Sequence, residues 1–412
     1  MSTEREFDVV VWGATGFTGA LMADYLAKTY GVGGELRWAL AGRNQDKLEA
    51  ARSRIAGERA EALPIVMADA LDASSMTGLA ERTAVVCSTV GPYSKYGSKL
   101  VAACAEQGTH YCDLTGEVHW MRSMIDAYQI TAERTGARIV FSCGFDCIPS
   151  DLGAYFMQRA MRERHGVPAR HVKYRVVAFK GAASGGTVAT MMNMMDEAAD
   201  DPEIMELGAD PYALNPLNAP RGLDGPDQSS AENDHDFNQW TAPFVMAGVN
   251  TRVVRRSNSL MNYAYGHDFR YDEAMLMGTG GLGFAKASAA AAGMAAMNTA
   301  MTLGVVRSAA APLLPSPGQG PTVAQQEAGF FDIELLARHP EDPSKDLRGR
   351  VYGDRDPGYG STAKMLGESA VCLAMNDLPV GGGMWTTASA MGDALIERLQ
   401  ANAGVTFTLH DS

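Results

Sequence analysis

Phe7-Asp8-Val9-Val10-Val11-Trp12 runs directly into Gly13-Ala14-Thr15-Gly16-Phe17-Thr18-Gly19, and this junction decides the fold. The apolar, β-branched first half reads as a buried strand. The glycines then recur at G-x-x-G-x-x-G spacing, and Ala20-Leu21-Met22-Ala23-Asp24-Tyr25-Leu26 takes up helical periodicity. A strand, a tight turn and a helix N-terminus together cradle a pyrophosphate. Glycine bends the chain, its bare backbone lets the anion approach, and the helix's unpaired N–H groups and dipole attract it. Gly-rich turns are common on their own. Set between a first strand and a helix, this one predicts a dinucleotide site contacted by Gly13, Thr15, Gly16, Phe17, Thr18 and Gly19.

Working outward, 412 residues suffice for two domains with separate cores. A hydrophobic fraction of 46% and a charged fraction of 20% are those of an ordinary globular chain. The net charge of −13 argues against nucleic acid or an anionic membrane as the main partner. Six cysteines form no C-x-x-C pair and no zinc spacing with histidine. They read as buried free thiols of a reducing cytoplasm, and no metal is expected. Residues 1–6 are short and polar, so no signal peptide is expected ahead of the first strand. Residues 287–306 are uncharged and rich in Ala and Met. That length could span a bilayer, but the small residues insert poorly. A close-packed internal helix is the expectation, with a helix lining a greasy pocket or touching a lipid surface as the second reading.

Leu36-Arg37-Trp38-Ala39-Leu40-Ala41 is the second strand, and its end sits where the fold meets the adenosine ribose, roughly 20 residues past the last glycine. An NAD site places an acid there. This chain has Ala41-Gly42-Arg43-Asn44 instead. A guanidinium pairs a 2′-phosphate that a carboxylate would repel, so the cofactor is read as NADP(H), with Arg43 as its reader and Asn44 as a second contact. Residues 63–69 form a third strand ending in Asp69, placed to meet the adenine edge. Strand four, residues 83–90, runs into Val90-Gly91-Pro92-Tyr93, which passes beside the nicotinamide. Strand five ends in Asp113, followed by Glu117; each is either a helix cap or an acid on the ligand rim. Strand six leads to Gly144-Phe145-Asp146-Cys147, with Asp146 facing the same rim.

Past residue 165 the strand–helix alternation stops. Residues 172–179 alternate like an antiparallel strand, and Ser184-Gly185-Gly186-Thr187 opens a Met-rich helix. That opening is a candidate substrate-binding cradle for a carboxylate or phosphate, although capping explains it almost as well. Residues 201–239 look like a long surface excursion. Thr251-Arg252-Val253-Val254-Arg255-Arg256 carries the densest positive charge, residues 330–337 and 347–352 read as a hairpin, and the chain ends in helices. The expected architecture is α/β, beginning with a Rossmann-type dinucleotide-binding domain over residues 1–150.

These motifs, with residues 243–258 and Asp268-Phe269-Arg270-Tyr271, resemble the saccharopine dehydrogenase-like oxidoreductases over nearly the whole chain, and most nearly the actinobacterial trans-acting enoyl reductases. The resemblance implies NADPH-dependent reduction of a double bond in an acyl chain held by the carrier domain of a polyketide synthase. It also implies an α+β domain with a mainly antiparallel sheet over 151–357, C-terminal helices over 358–412 packing back on the first domain, and a place in lipid biosynthesis. The residues are compatible with that chemistry, which needs hydride delivery and one proton donor and little further acid–base machinery. No Tyr-x-x-x-Lys dyad occurs. Tyr93 is the first candidate for proton donor, followed by Asp146 and Asp113. Two other readings stay open. One is an imine or amino-acid reductase using Arg252, Arg255 and Arg256. The other is a non-catalytic NADP-binding protein associated with lipid. A homodimer and a peripheral position at the membrane are also left open.

Overall fold

The computed structural model describes residues 5–181, 185–304, 306 and 320–410. Strands β1 (Phe7–Trp12), β2 (Trp38–Gly42), β3 (Ile65–Met67), β4 (Thr83–Ser88), β5 (His110–Asp113) and β6 (Arg138–Val140) alternate with helices. The second half supplies β7 (His171–Lys180), β8 (Glu232–Asp234), β9 (Gln239–Pro243), β10 (Arg270–Gly278), β11 (Phe330–Arg338) and β12 (Leu347–Gly353). The chain closes with β13 (Gly383–Trp385) and β14 (Val405–Leu409).

One sheet has the order β13-β6-β5-β4-β1-β2-β3, with every pairing parallel. Its central strands are buried on both faces: Val9, Val10, Val11, Val85, Val86 and Cys87 are fully excluded from solvent. That explains the continuous apolar runs where a half-exposed strand would alternate. The order reverses between β1 and β4, and in open sheets of this kind ligands bind at the carboxyl edge beside that switch.

The other sheet has the order β14-β12-β11-β7-β10-β9-β8 and is antiparallel except for the β7–β10 pair. The predicted hairpin is β11–β12, with Asp332 opposite Tyr352 and Leu336 opposite Arg348. The C-terminal piece does more than return helices to the first domain. Helix Thr362–Met375 packs on β1, β4 and β5, while β13 completes the parallel sheet and β14 completes the other.

Two expectations are corrected. The helix over Gly280–Thr302 is not internal: only Gly283, Ala287 and Ala291 are buried, and Leu282 is 70% exposed. Its buried stripe lies on β9 and β10, where a Cβ at Gly283 would come within 2.2 Å of the Gly278 carbonyl oxygen. No described helix is long and apolar enough to cross a membrane. The 201–239 excursion is also more than surface, because Asp224 and Asp227 reach in from it to buried arginines.

Candidate active site

The cradle is built by contacts that exclude side chains. Gly13 has φ +89°, a left-handed conformation that suits glycine, and a Cβ there would lie 2.6 Å from Val90 Cγ2. A Cβ on Gly19 would sit 2.2 Å from the Gly13 carbonyl oxygen, so helix Phe17–Thr29 packs on the strand end only because residue 19 is bare. That carbonyl accepts from the Gly16 N–H at 2.9 Å and from Thr89 Oγ1 at 3.3 Å. The N–H groups of Thr15, Phe17, Thr18 and Gly19 make no hydrogen bond to a described residue, and the first helical turn carries no acid. Free amides, a helix dipole and a bare backbone fit a pyrophosphate. The Phe17 ring is also held edge-on to Tyr359, 5.2 Å between centroids.

Arg43 is exposed and enters no ion pair with a described residue, leaving its guanidinium available to an anion. Asn44 and Asp69 are partly spent on their own turns. Asn44 caps helix Gln45–Ala56 by accepting from Lys47 N–H at 2.9 Å, and Asp69 accepts from Leu71 N–H at 2.9 Å. The buried Trp12 indole N–H, at the last residue of β1, has no partner among the described residues.

Along the rim, three acids and a phenol differ sharply in what they already hold. Tyr93 is 4% exposed; its O–H donates to the Ser88 carbonyl (3.1 Å) and its oxygen accepts from Leu114 N–H (3.2 Å). Burial, with the nearby Asp113 carboxylate, pushes this phenol well above its ordinary range. Asp113 is fully buried and accepts from Ser142 N–H, Thr115 N–H and Tyr111 O–H, at 2.9, 3.0 and 2.9 Å. Desolvation outweighs those donors and lifts its carboxyl to about 7. Glu117, also buried, accepts from the N–H groups of Tyr93 (2.7 Å) and Ser94 (2.8 Å), so it caps the short turn Tyr93–Tyr96 rather than its own helix. Asp146 is half-buried, has no hydrogen-bond partner among the described residues, and is raised to about 6 by burial alone.

A family model for the saccharopine dehydrogenase NADP binding domain matches residues 9–140. A trans-acting enoyl reductase of Mycobacterium ulcerans is 39% identical over 413 residues, covering 97% of this chain and 96% of that one. One of Mycobacterium bovis is 39% identical over 425 residues, covering 98% and 97%. The chain belongs to the saccharopine dehydrogenase-like trans-acting enoyl reductases. Its fold is also similar to that of apo saccharopine dehydrogenase (L-Glu forming) from Saccharomyces cerevisiae, with a TM-score of 0.53 at 12% identity over 98% of this chain and 99% of that one.

The protein is therefore an NADP-dependent oxidoreductase, and NADP(H) is its cofactor. In this reductase the arginine cluster is committed elsewhere. On helix Ala247–Leu260, Arg252 pairs with Asp227, Arg255 pairs with Asp224 and donates to the carbonyls of Pro211 and Tyr271, and Arg256 donates to those of Leu214 and Met384. Arg252 and Arg255 are thus neutralised by carboxylates, and Arg256 is buried against carbonyl oxygens.

Of the substrate cradle, Ser184 lies outside the described residues. Gly185, Gly186 and Thr187 open helix Gly185–Asp200, and of their side chains nothing is described. The helix does meet the loop after β4: a Cβ on Gly91 would lie 3.2 Å from Thr190 Oγ1. Sequence reading also passed over Glu197, His119 and Ser94, where Glu197 bonds Ser94 Oγ at 2.8 Å and His119 Nε2 at 3.0 Å. No local spacing announces partners 103 and 78 residues apart.

Proposed function

We propose that this reductase saturates the α,β double bond of an acyl or polyketide thioester delivered by a separate acyl-carrier domain, using NADPH. The cofactor, when bound, supplies the hydride that reaches the β-carbon. What supports the proton half of the reading is the Asp146 carboxyl, which follows β6 and has no hydrogen-bond partner among the described residues. Its raised affinity lets it hold a proton near neutrality and release it to the α-carbon, and its partial exposure lets solvent restore that proton. Tyr93, first in the sequence reading, has its hydroxyl engaged by Ser88 and Leu114, and Asp113 holds three donors in place. Both are read as positioning the strand ends rather than as donors.

The cofactor contacts remain those read from the sequence: Gly13, Thr15, Gly16, Phe17, Thr18 and Gly19 at the pyrophosphate, Arg43 with Asn44 at the 2′-phosphate, Asp69 near adenine, and Val90, Gly91 and Pro92 beside the nicotinamide. The division at residues 150 and 357 stands as a proposal about folding units. A cytoplasmic enzyme suits the six cysteines, all free and buried. Exposed Leu282 and Met297 are the surface we assign to peripheral lipid contact, with a second copy of the chain as the competing occupant. The test is loss of reduced-nicotinamide absorbance when purified protein meets carrier-bound enoyl thioesters. Oxidation with imines and none with enoyl thioesters would sink the reading.

A further inference from the structure

We propose that Glu197 is a positioning residue for the acyl substrate, seating the methionine-bearing helix Gly185–Asp200 against the 91–94 loop. The substrate half of this rests on the enoyl-thioester reading; the seating does not. Glu197 divides its carboxylate between two elements, accepting from Ser94 Oγ at 2.8 Å and pairing with His119 Nε2 at 3.0 Å. Asn193, one turn earlier and 4% exposed, donates to the same Ser94 Oγ at 2.9 Å. Ser94 is itself held from below, because its N–H donates to the buried Glu117 at 2.8 Å.

Thr190, Asn193 and Glu197 fall on one face of the helix, and all three meet the loop or its neighbour. Two side chains of the helix, Asn193 and Glu197, and two beside it, Ser94 and His119, are thus spent fixing the helix beside the loop expected at the nicotinamide. The same two turns carry Met191, Met192, Met194 and Met195, none fully buried. Flexible, polarisable thioethers adapt to alkyl chains of varied shape. A clamped helix that presents them at a set distance from the loop would hold the chain while the enoyl head reaches the cofactor.

The test uses the full-length protein with saturating NADPH and the variants Glu197→Ala and Ser94→Ala. Hydrogen exchange is followed over residues 189–200, and steady-state kinetics are measured with crotonyl and dodecenoyl thioesters of coenzyme A. Loss of a charge-assisted bond should raise KM for the dodecenoyl thioester about tenfold. Exchange over 189–200 should quicken, while kcat, the crotonyl KM and the NADPH Kd stay within about twofold. Exchange unchanged from wild type overturns the seating. Quickened exchange with both KM values unchanged, or raised alike, overturns the acyl role. A wild type that turns over neither thioester overturns the proposed function and the acyl role together, and the exchange rates still decide the seating.

Discussion

Gly19 stands so near Gly13 that a Cβ on residue 19 would come within 2.2 Å of the Gly13 carbonyl oxygen. The nearest obstacle is backbone, which cannot swing aside as a side chain tip can. Gly19→Ala should therefore push the first helix off the strand end, at a cost of about 1–3 kcal/mol. It should also weaken NADPH far more than the stability loss alone accounts for, because the free amides shift with the helix. Denaturant titration and calorimetry read the two effects separately, and a Gly19→Ala protein that binds NADPH normally would refute the cradle.

Arg43 offers a cleaner test, since an exposed side chain with no ion pair to a described residue can be changed without disturbing the fold. Arg43→Asp should cost NADPH about 1.5–3 kcal/mol of binding, the worth of a hydrogen bond to a charged group, with NAD(H) spared. Isothermal titration with both cofactors checks it; an unchanged preference would remove Arg43 from the site.

Asp146 predicts a pH profile. With its carboxyl at about 6, the proton is present below that pH and lost above it, so the rate of reduction should fall as pH rises through 6. Asp146→Asn should be slower by about a hundredfold and lose that inflection. Stability has the same sign. The ordinary value is 3.8, so between there and about 6 the folded state keeps a proton that the unfolded chain has released. This group's contribution is complete below that window and is lost as pH rises through it. Thermal melts should show a pH-dependent loss in wild type that is smaller in Asp146→Asn.

Tyr93→Phe separates donor from strut. The hydroxyl links Ser88 to Leu114 inside the fold, so its loss should cost about 1–3 kcal/mol of stability while reduction persists. Abolished turnover in a fully folded Tyr93→Phe protein would return the donor role to the phenol.

Asp224→Ala should leave the Arg255 guanidinium buried without its carboxylate. Removing one partner of such a pair costs about 3–5 kcal/mol. Chemical denaturation should show the loss, and the remaining folded protein should bind NADPH with unchanged affinity.

Local chemistry was readable where the partners of a residue lie within a few positions of it. The glycine cradle, the missing acid before Arg43 and the apolar runs of β1 and β4 all belong to that class. Tyr93 follows β4 as its motif indicates, but nothing in Gly91-Pro92-Tyr93 says that the ring turns back toward Ser88. Arg252 and Arg255 looked free because their carboxylates, Asp227 and Asp224, come from a stretch that reads as loop. Residues 287–306 misled for a different reason. A segment apolar on every side has no periodicity to show which face is covered, so composition alone pointed inward. Strand β13 is three residues beginning at the last of three consecutive glycines, too short for any pattern to register.

The placement of β13 and β14 has a consequence for how the protein is made. Neither sheet has its full set of strands until residues 383–409 have left the ribosome, long after residues 13–19 of the glycine cradle. A nascent chain stalled before residue 383 would expose an unpaired edge on each sheet, and truncation there would cripple both halves together.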